Sequence, residues 1–292
     1  DVYARRYHST ATGKSGYTPV CKNEWAHGLC DKKKHKCPEC PNREFQPLTA
    51  EVVKAHLIGR DPFCRDVAAI YPMLADNTTW LMAADFDEEK WQLDVTAFCK
   101  CCREMGLAPA VERSRSGNGT HVWFFFSEPV SAADAHCLGT SLLTRTMAHR
   151  HELSFSSYDR LFPSQDIVPK GGFGNLIALP FQGQAQKDGN SLFVDDSFAP
   201  YPDQWAFLSS LPKITSEQLE ECLQELCRNG GMGELVDAAE KQVPWQRKQT
   251  RQKLTRGDFP LQATLAVSNL IYIEKKGFSQ AALNTLKRLA AF

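Results

Sequence analysis

The stretch Thr79-Trp80-Leu81-Met82-Ala83-Ala84-Asp85-Phe86-Asp87 decides the fold. Its apolar run TWLMAA (79–84) has strand length and predicts a buried β-strand, and a helical pattern follows it directly. In EEKWQLDVTAFCKCCREMG (88–106), Trp91, Val95, Phe98, Cys102 and Met105 fall on one helical face, and Gly106 supplies the stop. The central unit is therefore strand, acidic turn, helix. Strand side chains alternate, so Asp85 and Asp87 share one face while Phe86 turns into the core. Two adjacent carboxylates repel unless a cation joins them, and carboxylate oxygens suit magnesium or manganese. An acidic turn favouring the helix N-terminus explains the same residues without a metal, so the pair alone is ambiguous.

Downstream, Ala110 to Arg113 and the β-favouring HVWFFF (121–126) are joined by SGNG at 116–119, which predicts a hairpin. Its turn, Ser116-Gly117-Asn118-Gly119-Thr120-His121 preceded by Arg113 and Arg115, is suited to a triphosphate. Glycines let backbone N–H groups approach phosphate oxygens, Ser116 adds a hydroxyl donor, and His121 or the arginines meet the charge. An ordinary hairpin turn is the plain alternative. A helix is predicted over Ala132 to Arg150, then short strands at Asn175 to Leu179 and Leu192 to Val194. After Leu211 the pattern turns helical, with Ser216 as a cap. Between these, Asp166 precedes the glycine-rich run Lys170-Gly171-Gly172-Phe173-Gly174-Asn175 and the apolar LIALPF. That order offers a third carboxylate, with Lys170 or Asn175 reaching phosphate or sugar. A simple turn aspartate is the alternative, and Asp195-Asp196 after SLFV is a rival for the same role.

The 292 residues are 42% hydrophobic, enough for a sizeable core. No long apolar span or secretory leader is evident, so a cytoplasmic, intracellular protein without membrane partners is expected. The chain starts at Asp1 rather than Met, as a piece of a longer protein would. Residues 1–20 carry Gly, Ser, Thr and scattered Arg and predict a flexible lead-in. Of eleven cysteines, four form Cys21-x8-Cys30-x6-Cys37-x2-Cys40 in a segment too polar to pack by itself. That arrangement predicts a zinc-binding module rather than a secreted disulfide scaffold. His27 and His35 are possible substitutes for one thiolate, while Cys99, Cys101 and Cys102 read as thiols on a helix. The net charge is zero, so nucleic-acid binding would need local basic patches. Lys32, Lys33, Lys34 and Lys36 form one, and Arg247, Lys248, Arg251, Lys253 and Arg256 another; solvated faces explain both equally well.

Taken together, AADFD, SGNGTH and QD followed by NLIALPF resemble, in order and spacing, the motifs of the archaeo-eukaryotic primase superfamily. CKNEWAHGLC, KCPEC, FQPLT, IYPML, FPSQD, GGFGNLIALPFQ and YPDQWAFL resemble the primase domains of TOTE conflict systems, in which such a domain precedes a helicase. The resemblance implies an α+β fold: a primase catalytic core with an RNA-recognition-like (RRM-like) sheet, an embedded zinc module and a helical C-terminal extension. The expected boundaries are 1–20 for the lead-in, 21–45 for the zinc module, 46–212 for the core and 213–292 for the extension. It further implies a primase or polymerase joining nucleoside triphosphates on a single-stranded DNA or RNA template. Two Mg2+ or Mn2+ ions on Asp85, Asp87 and Asp166 would serve catalysis, with Ser116 and His121 contacting the triphosphate and Gly117, Gly119, Arg113, Arg115, Lys170 and Asn175 around it. A metal-dependent nuclease, a glycosyltransferase using Asp-x-Asp, and a catalytically inactive nucleic-acid-binding module are the competing readings.

Overall fold

The computed structural model describes residues 2–87, 91–149 and 157–228. In chain order the elements are β1 (Tyr3–His8), β2 (Ser15–Pro19), α1 (Ala50–Ile58), β3 (Ala68–Ile70), β4 (Thr78–Asp87), α2 (Trp91–Glu104), β5 (Ala110–Arg113), β6 (Gly119–Ser131), α3 (Ala132–His149), β7 (Tyr158–Phe162), β8 (Ile177–Ala178), α4 (Gly183–Gln186), α5 (Gln204–Ser210) and α6 (Ser216–Arg228). They build two antiparallel four-stranded sheets, ordered β2-β1-β3-β8 and β5-β6-β4-β7. The mixed α+β expectation therefore holds.

The alternation read in 79–87 positions everything that follows. Met82, Ala84 and Phe86 are fully buried against Phe98 of α2, Leu138 and Leu142 of α3, and Phe124 of β6. On α2, Trp91, Val95, Phe98, Cys102 and the following Met105 are all buried, which is the predicted stripe. Gly106, at φ 73°, ends the turn. Ala83 faces the other way, into a second cluster with Ala110, Trp123, Phe162, Ile177, Phe181 and Phe193, which joins elements of both sheets. Truncating a fully buried ring such as Phe86 costs about 3–5 kcal/mol, so the end of β4 is firmly anchored between its two carboxylates.

Residues 1–20 are not a lead-in. β1 and β2 form a hairpin, with Ala4 opposite Pro19 and His8 opposite Ser15, and β1 continues the sheet by pairing with β3. Tyr3 and Ala4 are buried and Arg5 and Arg6 after them half-buried, so the sheet's hydrogen bonds, and not a long apolar run, order the segment. The cap of α6 is Thr215, whose Oγ1 accepts the N–H of Gln218 at 3.2 Å, rather than Ser216. The 192–194 segment makes only isolated bridges. Most of the expected 213–292 extension, with the cluster from Arg247 to Arg256, lies outside the described residues.

Candidate active site

Asp85 and Asp87 leave the end of β4 on the same side, as the alternation requires. On one flank β4 pairs with β7, Asp85 opposite Arg160 and Phe86 opposite Tyr158. Asp159 is skipped in this register. It is the extra residue of a β-bulge, and a bulge re-aims a side chain that regular alternation would send to the other face. Tyr158 stays on the Phe86 side, its ring 5.9 Å from that of Phe86. Asp159 thereby joins the other two aspartates, and ligand oxygens of Asp85, Asp87 and Asp159 lie within 4.8 Å of one another. Arg160 donates to Asp159 at 2.6 Å. Burial pushes the Asp85 carboxyl up to about 6; His121 counters this, Asp87 and Asp159 reinforce it, and Arg160 opposes it weakly. Such crowding is what a bound cation would relieve.

On the other flank, the β5–β6 hairpin sets His121 opposite Asp85 and Gly119 opposite Asp87. His121 Nε2 lies 3.6 Å from Asp85 Oδ1, and its Nδ1 lies 3.0 Å from Glu112 Oε2. The same Glu112 oxygen accepts the indole N–H of Trp123 at 2.8 Å, and Ser191 Oγ approaches Oε1 at 3.4 Å. Glu112 is 2% exposed and faces His121 directly across the hairpin. As the acceptor of Nδ1–H, it orients the ring so that Nε2 faces the acidic site. Burial lowers the His121 pKa, but the Glu112 hydrogen bond and the charges of Glu112, Asp85 and Asp87 outweigh it, and the net shift is upward. Counting outward from SGNG at 116–119 would set Ser114 opposite His121; the loop actually spans 115–118, and that offset of one residue is what brings Glu112 opposite His121.

Gly119 is required for a steric reason. A Cβ there would lie 2.2 Å from Asp87 Oδ1 and 2.4 Å from the Phe86 carbonyl oxygen. Gly117 sits at φ 80° in the turn. Ser116 Oγ is 3.1 Å from Ser114 Oγ and accepts the N–H of Asn118 at 3.3 Å, so at present it shapes the turn. Arg115 is half-exposed on the same turn. Arg113 differs from expectation. One residue beyond Glu112, it alternates to the opposite face and donates to the Phe198 carbonyl at 3.0 Å.

Asp166 is likewise not part of the acidic trio. It follows the end of β7, is largely exposed, and pairs with Nδ1 of His136 at 2.9 Å. The rivals are occupied elsewhere too: Asp195 Oδ1 caps the N–H groups of Ser197 and Ala199, and Asp196 binds Arg103. Asn175 holds chain to chain, donating to the Leu161 carbonyl at 2.7 Å and accepting from the N–H of Ser164 at 3.3 Å. Lys170 is exposed at the head of a glycine loop that packs on Glu39, not on the carboxylates.

Cys21, Cys30, Cys37 and Cys40 are free thiols lining one small cavity of about 20 Å3. Burial raises the Cys37 thiol; Lys32 counters this, and the neighbouring Cys30 and Cys21 add to it. Among the described residues, however, the aspartate trio is the one group of three or more such ligands already at mutual liganding distance. No described helix is long and apolar enough to cross a membrane.

The model of the family described as "TOTE conflict system, Archaeo-Eukaryotic Primase domain" matches residues 1–222. The chain belongs to this family. Among solved structures, the polymerase domain of Mycobacterium tuberculosis Ligase D in complex with DNA aligns with this primase-family chain at 14% identity and a TM-score of 0.39, covering 81% of this chain and 84% of that one. No curated protein matches significantly.

Proposed function

We propose that this primase-family chain is a template-directed nucleotidyltransferase, a primase or polymerase that joins nucleoside triphosphates at Asp85, Asp87 and Asp159. The observation that carries the reading is the bulge-assembled trio of carboxylates facing His121 on the neighbouring strand. Their all-oxygen donor set fits Mg2+ or Mn2+, and burial, which chiefly raises the Asp85 pKa, makes a nearby divalent ion favourable for its carboxylate form. When bound, such ions supply charge stabilisation at phosphoryl oxygens.

The remaining roles belong to side chains and backbone. The three aspartates would hold the ions on one side of the sheet. His121, oriented by Glu112, presents Nε2 to a phosphate oxygen, and the Ser116–Gly119 turn, closed by the N–H groups of Gly117 and Asn118, lies beside it. Arg160 balances the negative charge of Asp159 when the site is empty of substrate. In the Cys segment, the thiolate set of Cys21, Cys30, Cys37 and Cys40 fits a structural Zn2+ that would hold a stretch with few buried apolar residues. We also infer a single-stranded template as partner and, in the intact protein, an accompanying helicase.

The test is incubation with single-stranded template, Mn2+ and labelled nucleotides. Extension products from the unmodified chain, absent from one carrying Asp85→Ala and Asp87→Ala, support the proposal. Undiminished synthesis by that double variant, or shortening of the template, contradicts it.

A further inference from the structure

Two sequence features take no part in the carboxylate site: the lysine-rich run 31–36 and the glycine-rich run 170–175. They meet across a groove of about 420 Å3, in which Lys32, His35 and Lys36 face Tyr71, Phe173 and Leu176. The far wall is built rather than incidental. Gly171 adopts φ 68°, a left-handed conformation that favours glycine, and the loop there lies against the Glu39 side chain of the Cys37–Glu39 turn. Phe173 is braced from behind by Phe45, at 5.1 Å between ring centroids, and leans on Tyr71 at 4.9 Å.

Charge in the groove is one-sided. None of its lining residues, all within the described set, is acidic, although the whole chain is neutral. Lys32 is fixed by Glu24 at 2.6 Å and lies 4.3 Å from the centroid of the Trp25 ring. Lys36 and His35 are exposed, and their side chains make no hydrogen bond or ion pair among the described residues. A ligand with repeating negative charge and flat apolar faces complements this lining: cations take phosphates, and the aromatic wall takes a base.

We infer that the groove binds a single strand of nucleic acid, with phosphates at Lys36 and His35 and a base against Tyr71 and Phe173. The inference rests on the polymerase reading only for which strand enters, template or primer.

The experiment is fluorescence anisotropy of a labelled oligothymidylate with the purified chain over a salt series, without added triphosphate or divalent cation. Lys36→Gln should weaken binding and flatten the slope of log K against log salt by about 0.7, the share of one phosphate contact on a single strand. Phe173→Leu, which keeps apolar bulk but removes the ring, should weaken binding about fivefold or more. Lys33→Gln, an equal charge loss on an exposed residue outside the groove, should have a smaller effect than Lys36→Gln. Unchanged affinity in the two groove variants, equal losses for Lys33 and Lys36, equally tight duplex binding, or equal competition by a free nucleoside triphosphate would each overturn the inference. Strand affinity is read here without nucleotide incorporation or divalent cation, so a failure of the catalytic reading leaves this result standing.

Discussion

Replacing Gly119 with alanine places one methyl group where β6 passes the end of β4. The added carbon would lie 2.2 Å from Asp87 Oδ1, 2.4 Å from the Phe86 carbonyl oxygen and 3.1 Å from Asp87 Cα, whereas ordinary contact begins near 3.4 Å. The carboxylate can rotate away, but the carbonyl belongs to the strand backbone. Relief therefore requires the strands to part by roughly 1 Å or Asp87 to leave its place. Overpacking of this kind costs about 1–3 kcal/mol, a fall of several degrees in Tm for a domain of this size. The functional loss should be larger in proportion, because a misplacement of about 1 Å at a catalytic group can cost about 100-fold in rate. Mn2+ affinity and nucleotide incorporation by Gly119→Ala should both drop, while Gly117→Ala, which loses some stability through its φ of 80° but whose methyl meets the movable end of the Asn190 side chain at 2.8 Å and no carboxylate, should retain Mn2+ affinity. A Gly119→Ala chain with unmodified Mn2+ affinity and kcat/KM would refute the claim that this glycine exists to seat Asp87.

Three further outcomes are expected. Glu112→Ala should raise KM for the nucleoside triphosphate about tenfold or more by releasing the His121 ring, while Glu112→Gln, which can still accept from Nδ1, restores most of the loss; equal behaviour of the two variants would remove the orienting role. The Asp85 proton persists to about 6 in the folded chain but only to about 4 in an unfolded one, so the stability it contributes is full below about pH 4 and lost as pH rises through about 6. Asp85→Asn should therefore melt several degrees higher than the unmodified, metal-free chain at about pH 7.5, with no advantage near pH 4, since the pKa difference is worth about 3 kcal/mol; an advantage of the same size at both values would contradict this. Cys37→Ala should abolish stoichiometric Zn2+ retention and expose 21–45 to proteolysis, as measured by metal analysis and limited digestion, and intact Zn2+ binding would refute the four-thiolate site.

The parts legible in the sequence are those governed by local periodicity. Alternation in 79–87 and helical spacing in 91–105 predicted β4 and α2 with their faces, and the turn at 116–119 predicted the hairpin that brings His121 to Asp85. What escaped depends on register between distant segments. Asp159 reaches the site only because a bulge breaks the alternation of β7, and Tyr158-Asp159 carries no longer apolar pattern to announce a strand. Asp166 was the more conspicuous candidate because glycines and an apolar run follow it, yet that loop serves the Cys segment. The N-terminal hairpin was hidden for a related reason: sheet hydrogen bonds order it while few of its side chains are apolar and buried.

The central claim, that Asp159 and not Asp166 completes the nucleotidyl-transfer site, is tested most directly by template-dependent incorporation of labelled nucleotide with Mn2+, comparing Asp159→Ala with Asp166→Ala. Both residues are at least 40% exposed, so neither change should unfold the chain. The structure predicts loss of incorporation in Asp159→Ala and near-normal incorporation in Asp166→Ala; the reverse result would contradict it.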